Sequence, residues 1–226
     1  TTVNDPCHAF GYKEDQAAWF NDIARLRIEA PNGQLLYDDV VDFDSQTAAV
    51  PVVRVTTPGG QVLFNQQVPQ MATDPGRTEG RDDDSALALL VFPASPGSAE
   101  RVSYAVGWFF RGGEMRLNLS GPGLALVSLT PGQSASSGGY RFDFVEARAI
   151  PALTISDMPG AIDDQVTVQM PTGGDGRPYL LISGLSHDPL VLTPDAPVEN
   201  EEGYTYTFRG QLEASGLSVR RDPGDT

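Results

Sequence analysis

Few residues in this chain can do covalent or acid–base chemistry, and they are scattered. The chain has 226 residues but only one cysteine and two histidines. Cys7 and His8 are the one thiol–imidazole neighbour pair, and an exposed thiol there would be competent for exchange with other thiols. His187 lies in Ser186-His187-Asp188-Pro189, a turn-like loop. Two histidines cannot build a His-rich metal site, and bis-histidine haem ligation is not expected. Asp82-Asp83-Asp84 offers the oxygen ligands that calcium takes, but without the spacing of an EF-hand loop, so it reads as a solvated charge run. Gly132-Gln133-Ser134-Ala135 lacks the second glycine of a Gly-x-Ser-x-Gly nucleophile turn. Carboxylates are plentiful, but no pair stands out for glycoside chemistry. Neither a phosphate loop nor a dinucleotide fingerprint is present. The expectation is a non-catalytic chain with no metal-binding or cofactor-binding residues of its own, and with Cys7 as the candidate for a thiol role.

Composition narrows the partners. Thirty acidic residues against 15 basic ones give a net charge of -15. Such a surface repels nucleic acid and anionic lipid. Charged residues make up 20% and hydrophobic ones 40%, which suits a packed core rather than a disordered chain. One cysteine excludes an internal disulfide and leaves the redox compartment open. No apolar run in the sequence reaches the ~20 residues of a membrane span.

The elements that would hold any site are strands. Arg25–Glu29 and Gln34–Val41 flank Pro31-Asn32-Gly33, a strong hairpin signal. Pro58-Gly59-Gly60 and Arg111-Gly112-Gly113 mark further hairpins, and Gly173-Gly174-Asp175-Gly176 another. Evenly spaced strands with almost no helix between them predict an all-β fold, an antiparallel sandwich or open barrel. Lys13–Ala24 is the one helix candidate, because Ala17, Phe20, Ile23 and Ala24 would share a face. Residues 72–85 read as an exposed loop. The Gly/Ser stretch 132–139 suggests a joint between an N-terminal β-rich lobe, 1–131, and a C-terminal β lobe, 132–226, or a long hairpin loop inside one continuous domain.

The most specific pattern is an internal repeat at an offset of 64 residues: 139–160 reads GYRFDFVEARAIPALTISDMPG and 203–224 reads GYTYTFRGQLEASGLSVRRDPG. Leu129-Thr130-Pro131 echoes Leu192-Thr193-Pro194 with one residue of slip. Tyr-x-Tyr/Phe-x-Phe has period two, so its aromatics line one strand face and are expected in the core. The other face, Arg141 and Asp143 or Thr205 and Thr207, is expected to be wet. The Leu-Thr/Ser-Ile/Val segment is expected to run back beside the aromatic strand, and Pro-Gly to end it.

Tyr204–Gly210 and Ser215–Gly224 resemble the end of the extracytoplasmic domain of ResB (CcsB) proteins of system II cytochrome c maturation. The residues that carry the resemblance are Gly216, Leu217, Val219, Arg221, Asp222, Pro223 and Gly224. Phe20–Asp39 loosely resembles an earlier element of that family. The resemblance implies a docking or scaffold domain of an integral membrane protein on the outer face of the bacterial cell membrane. Membrane helices would flank it, the last one following Pro223-Gly224. Its partners would be a ResC/CcsA-type membrane protein and apocytochrome c. Haem would be handled by the assembly, not bound by this domain. The alternative is a secreted β-sandwich that binds carbohydrate or protein, and a hydrolase with unrecognised carboxylates is a distant third.

Overall fold

The computed structural model describes residues 7–9, 12–43, 46–74 and 85–221, with side chains for 22–43, 46–72 and 85–212. In chain order the strands are β1 (Cys7–Ala9), β2 (Tyr12–Glu29), β3 (Leu35–Asp42), β4 (Thr47–Thr56), β5 (Val62–Gln67), β6 (Ala72–Asp74), β7 (Ser85–Pro93), β8 (Arg101–Arg111) and β9 (Glu114–Gly121). They continue as β10 (Leu124–Leu129), β11 (Ser134–Ser137), β12 (Tyr140–Ser156), β13 (Gln165–Gln169), β14 (Leu180–Ser183), β15 (Leu190–Leu192), β16 (Pro197–Glu199) and β17 (Thr205–Arg221). The fold is all-β, and every strand pairing is antiparallel.

Two hydrophobic cores organise the strands. One gathers Val53, Val55, Leu90, Tyr104, Trp108, Leu117, Phe142 and Phe144, among others, all from residues 50–150. The other gathers Leu26, Ile28, Phe43, Val166, Val168, Leu180, Ile182, Tyr206 and Phe208, from either side of that stretch. The first core lies in an inner sandwich, with β5-β4-β12-β11 facing β7-β8-β9-β10. The second lies in an outer sandwich, with β3-β2-β17-β16 facing the C-terminal part of β12 followed by β13-β14-β15. The inner sandwich is inserted between the second and third strands of the outer one.

The two sandwiches share one register, strand for strand. Val55 faces Phe64 and Thr56 faces Val62 across a bulge, as Ile28 faces Tyr37 and Glu29 faces Leu35. Phe142, Phe144 and Glu146 face Val55, Val53 and Val52; Tyr206, Phe208 and Gly210 face Ile28, Leu26 and Arg25. The bulge therefore falls at Val145 in one copy and at Arg209 in the other. Ala135–Phe142 matches Val198–Tyr206, and Val106–Leu119 matches Val168–Ile182. Ala88–Val106 matches Leu153–Val168, and Leu117–Leu129 matches Leu180–Leu192. The turns agree too. Gly132 and Asp195 each donate a 2.7 Å backbone hydrogen bond, to the carbonyls of Phe144 and Phe208 respectively. Both residues have positive φ, which glycine adopts freely and aspartate tolerates better than most residues.

Several local expectations are corrected by this frame. Lys13–Ala24 is part of strand β2, not a helix: from Tyr12 to Glu29 its backbone is paired with β17. Tertiary pairing overrides a short helical periodicity. The Gly/Ser stretch is not a flexible joint, because Ser134–Ser137 pairs with Tyr140–Asp143 through a two-residue turn. Gly138 and Gly139 both have positive φ, as a hairpin turn matched to strand twist demands. Both cores draw on residues from either side of position 131, and β12 pairs with β4 along most of that strand. Nor does the Leu-Thr-Ile segment run back. β12 and β17 are single 17-residue strands, because nothing between Ala147 and Ile150 makes a turn and the bulge absorbs the bend.

Phe142, Phe144, Tyr206 and Phe208 are fully buried, as the period-two pattern requires. The opposite face is drier than its composition suggests. Asp143 and Thr207 are both buried, since each sits in an interior strand of its sheet. Asp143 accepts bonds from Arg54 Nε at 3.1 Å and Arg141 Nε at 2.8 Å. Burial pushes its pKa up, but the two guanidinium hydrogen bonds outweigh that and hold it below the usual carboxylate value.

Two predictions follow from these cores. Phe144→Ala and Phe208→Ala should each cost about 3–5 kcal/mol. Hydrogen exchange should place the loss on β4, β8 and β12 in the first variant and on β2, β13 and β14 in the second; identical maps would mean a single cooperative core. The ion pairs of Asp143 contribute fully above the ordinary carboxylate pKa and are lost as pH falls through its depressed one. Asp143→Asn should therefore cost about 1–2 kcal/mol at neutral pH, discounted for the exposed arginines. The difference from wild type should shrink on acidification in denaturant titrations.

Candidate functional site: a groove at the seam of the two sandwiches

The seam is built from the outward face of the β13–β14 pair and the chain that leaves β5. Strand alternation sends Val166, Val168, Leu180 and Ile182 into the outer core. It turns Gln169 and Leu181 the other way, and both are nonetheless buried. Gln169 Nε2 donates to the carbonyl of Gln70 at 2.7 Å, while its Oε1 accepts from the Gln70 N–H at 3.1 Å. The amide thus pairs with both main-chain groups of one residue, as a neighbouring strand would. Gln67 Oε1 accepts from Thr172 N–H at 2.9 Å, and Ser183 Oγ donates to the Met71 carbonyl at 3.3 Å. These contacts fix how the sandwiches meet.

Three depressions of about 570, 490 and 370 Å³ lie along this seam and share Met71. The largest is walled by Phe64, Leu89, Val91, Tyr179, Leu181 and Val191. The second continues over Leu87, Ala105, Gly107 and Leu126. Leu87, Leu89 and Val91 form the outward row of β7, while Ala88, Leu90 and Phe92 fill the inner core. Leu89, Val91 and Val191 are about half exposed, and Leu126 is 70% exposed. Such a contiguous apolar row is informative where scattered single residues are not.

Polar groups punctuate the groove. Tyr179 lies in its wall, and burial raises its pKa, so the hydroxyl stays protonated at neutral pH. Ser85 and Ser186 line the second and third depressions, and their side-chain oxygens are buried without a hydrogen-bond partner among the described residues. His187 stands at one mouth, its Nδ1 2.6 Å from Glu201 Oε2. The hydrogen bond and charge of Glu201 raise the imidazole pKa, and the carboxylate is lowered in turn. Arg177 and Asp175 stand 4.0 Å apart at the other mouth. The arrangement offers apolar surface and a few hydrogen-bonding groups. Among the described residues it brings no nucleophile, base and orienting group together, and no cluster of three or more His, Cys, Asp or Glu that could hold a metal ion.

The residues singled out from sequence fall elsewhere, with one exception. His187 is at the groove, paired and exposed. The backbone of Cys7 lies in β1, opposite Glu14, and its side chain lies outside the described residues. Asp82–Asp84 also lie outside them. Gly216, Leu217, Val219 and Arg221 lie on β17, in register with Ala18, Gln16, Glu14 and Tyr12; Asp222, Pro223 and Gly224 fall outside the described residues. Among the described residues no helix is long and apolar enough to cross a membrane. Sequence reasoning missed the groove. Its only local signal is the apolar run Leu87–Phe92, in which the outward residues are as hydrophobic as the inward ones.

Two side chains test this seam. Gln169→Leu keeps the volume but strands both polar groups of the Gln70 peptide; it should cost about 1–3 kcal/mol in chemical denaturation. His187 should titrate above the ordinary imidazole range by NMR. Its charged pair with Glu201 is complete below the ordinary imidazole pKa and is lost as pH rises through the raised one, and Glu201→Gln should return the midpoint towards the ordinary value. No family model, curated protein or solved structure matches this chain.

Proposed function

We propose that this chain is a non-catalytic recognition module whose seam groove takes an extended apolar segment of a partner protein. The observation that carries the reading is the outward row Leu87, Leu89 and Val91, which faces a groove completed by Met71, Leu181 and Val191. An apolar cleft with a few placed polar groups is the usual form of a binding site. The Ser85 and Ser186 hydroxyls and the Tyr179 phenol would supply orientation.

Charge supports a basic flank on that partner. Segments 22–43 and 157–212, which build most of the outer sandwich, hold fourteen acidic and four arginine side chains. Segments 46–74 and 85–156, which hold the inner sandwich, have five acidic and six arginine side chains. The acidity is concentrated on one side of the seam and would steer a cationic chain towards it.

A second, narrower reading is favoured by one observation, the likeness of Ser215–Gly224 to the end of a ResB extracytoplasmic domain. In that reading the partners are a ResC/CcsA-type membrane protein and apocytochrome c outside the cytoplasm, the assembly handles haem, and this domain docks without catalysing.

The test is binding of apocytochrome c and of unrelated apolar-basic peptides to the folded chain. Leu89→Asp and Val191→Asp should each weaken capture at least ten-fold, because burying an unpaired carboxylate is costly. Raised salt should weaken it further. Unchanged affinity in both folded variants would sink the groove as the site. Capture of the peptides without apocytochrome c would keep the groove and remove the narrower reading.

A further inference from the structure

The duplicated register reaches past the second sandwich. In the inner copy the aromatic strand does not stop at its own sheet. β12 leaves β4 at Pro151, opposite Thr47, and its next residues, Ala152–Ser156, become the third strand of the outer sandwich by pairing with β13. The same offset that carries Phe144 onto Phe208 carries Ala152-Leu153-Thr154-Ile155 onto Gly216-Leu217-Ser218-Val219 and Pro159-Gly160 onto Pro223-Gly224. β17 likewise runs on without a turn, as one strand from Thr205 to Arg221.

The partners of these two segments differ in kind. Leu153 and Ile155 stand in register with Val168 and Val166, two core residues of the outer sandwich. Leu217 and Val219 stand in register with Gln16 and Glu14 of β2. In sequence, Leu217 and Val219 alternate about Ser218 as Leu153 and Ile155 alternate about Thr154, the pattern of a half-buried strand.

We propose that Gly216–Val219 is a junction strand. Its partner is an antiparallel strand of alternating apolar residues, of the Val166–Met170 type, belonging to a third sandwich of the same plan in the same polypeptide. The inner sandwich is enclosed by a hairpin before it and six strands after it. The same rule applied once more places a hairpin ahead of β2 and five further strands beyond Pro223-Gly224. As β13 takes the edge of β12 away from β4, that fourth strand would take the edge of β17 away from β2. The ResB resemblance reads Ser215–Gly224 as the lead-in to a membrane helix; in this account residues 215–221 are a strand passing between two sandwiches, and the residues that follow separate the two accounts.

The experiment is to read the natural polypeptide beyond Thr226 and compare hydrogen exchange in that longer protein and in residues 1–226. Expected downstream are a Leu-Thr-Pro turn and then Tyr-x-Tyr/Phe-x-Phe, at the spacings that separate Pro159-Gly160 from Thr193-Pro194 and Tyr204–Phe208. The amides of Gly216–Val219 should exchange at least ten-fold more slowly in the longer protein. A stop codon, an apolar membrane span or any sequence without that pattern overturns the proposal. So does equal protection of these amides in the two proteins.

Discussion

Strand β12 is the constraint on which the rest of the molecule depends. Its residues 141–151 close the inner sandwich against β4, and its last five open the second sheet of the outer one against β13. A strand cannot slip by one residue without turning its buried set to solvent. Fixing Phe142 and Phe144 in one core therefore fixes Leu153 and Ile155 in the other. The bulge at Val145 falls within the stretch paired with β4 and adds local twist ahead of the change of partner at Pro151. The sandwiches are joined by continuous backbone, not by a linker, and the seam between them is set accordingly.

The seam carries out at side-chain level what β12 does at backbone level. Gln169 points away from the outer core and clasps the peptide of Gln70. A buried amide is tolerated there because both its donor and acceptor are used. Asn200 has a parallel role within the outer sandwich. Its amide nitrogen donates to the carbonyls of Gly160 and Leu185, and its oxygen accepts from the Glu202 and Tyr204 N–H groups. That ties the turn after β12 to the turn before β17. Gly160 must be glycine here: its φ is +74, and a Cβ would come within 2.5 Å of the Tyr206 hydroxyl. With these polar pins in place, the outward faces of β7, β14 and β15 are held apart as a groove instead of collapsing together.

The candidate site was poorly legible in the sequence for a physical reason. Leu87, Leu89 and Val91 alternate with Ala88, Leu90 and Phe92, so both faces of β7 are apolar and the run gives no sign of which face is core. His187 looked like an isolated loop histidine, because its partner Glu201 lies fourteen residues further on, beyond β15 and β16. Lys13–Ala24 failed in the opposite direction: a helical periodicity was real but short, and pairing with β17 outweighed it. The Gly/Ser stretch misled because the two positive-φ glycines of a tight turn look the same in composition as a flexible joint.

The sequence by itself determined the class of fold and the buried face of its aromatic strands. Period-two aromatics and positive-φ turn residues act over a few residues, and local physics decides them. It also settled the net charge and the small number of cysteine and histidine side chains. Only the tertiary structure decided that the aromatic strand is shared by two sandwiches, that the duplication takes in eight strands per copy, and that one copy is nested in the other. The pairs that establish this, such as Phe142 with Val55 and Tyr206 with Ile28, join residues far apart in the chain. Their register is fixed by burial in a common core, which no local pattern encodes.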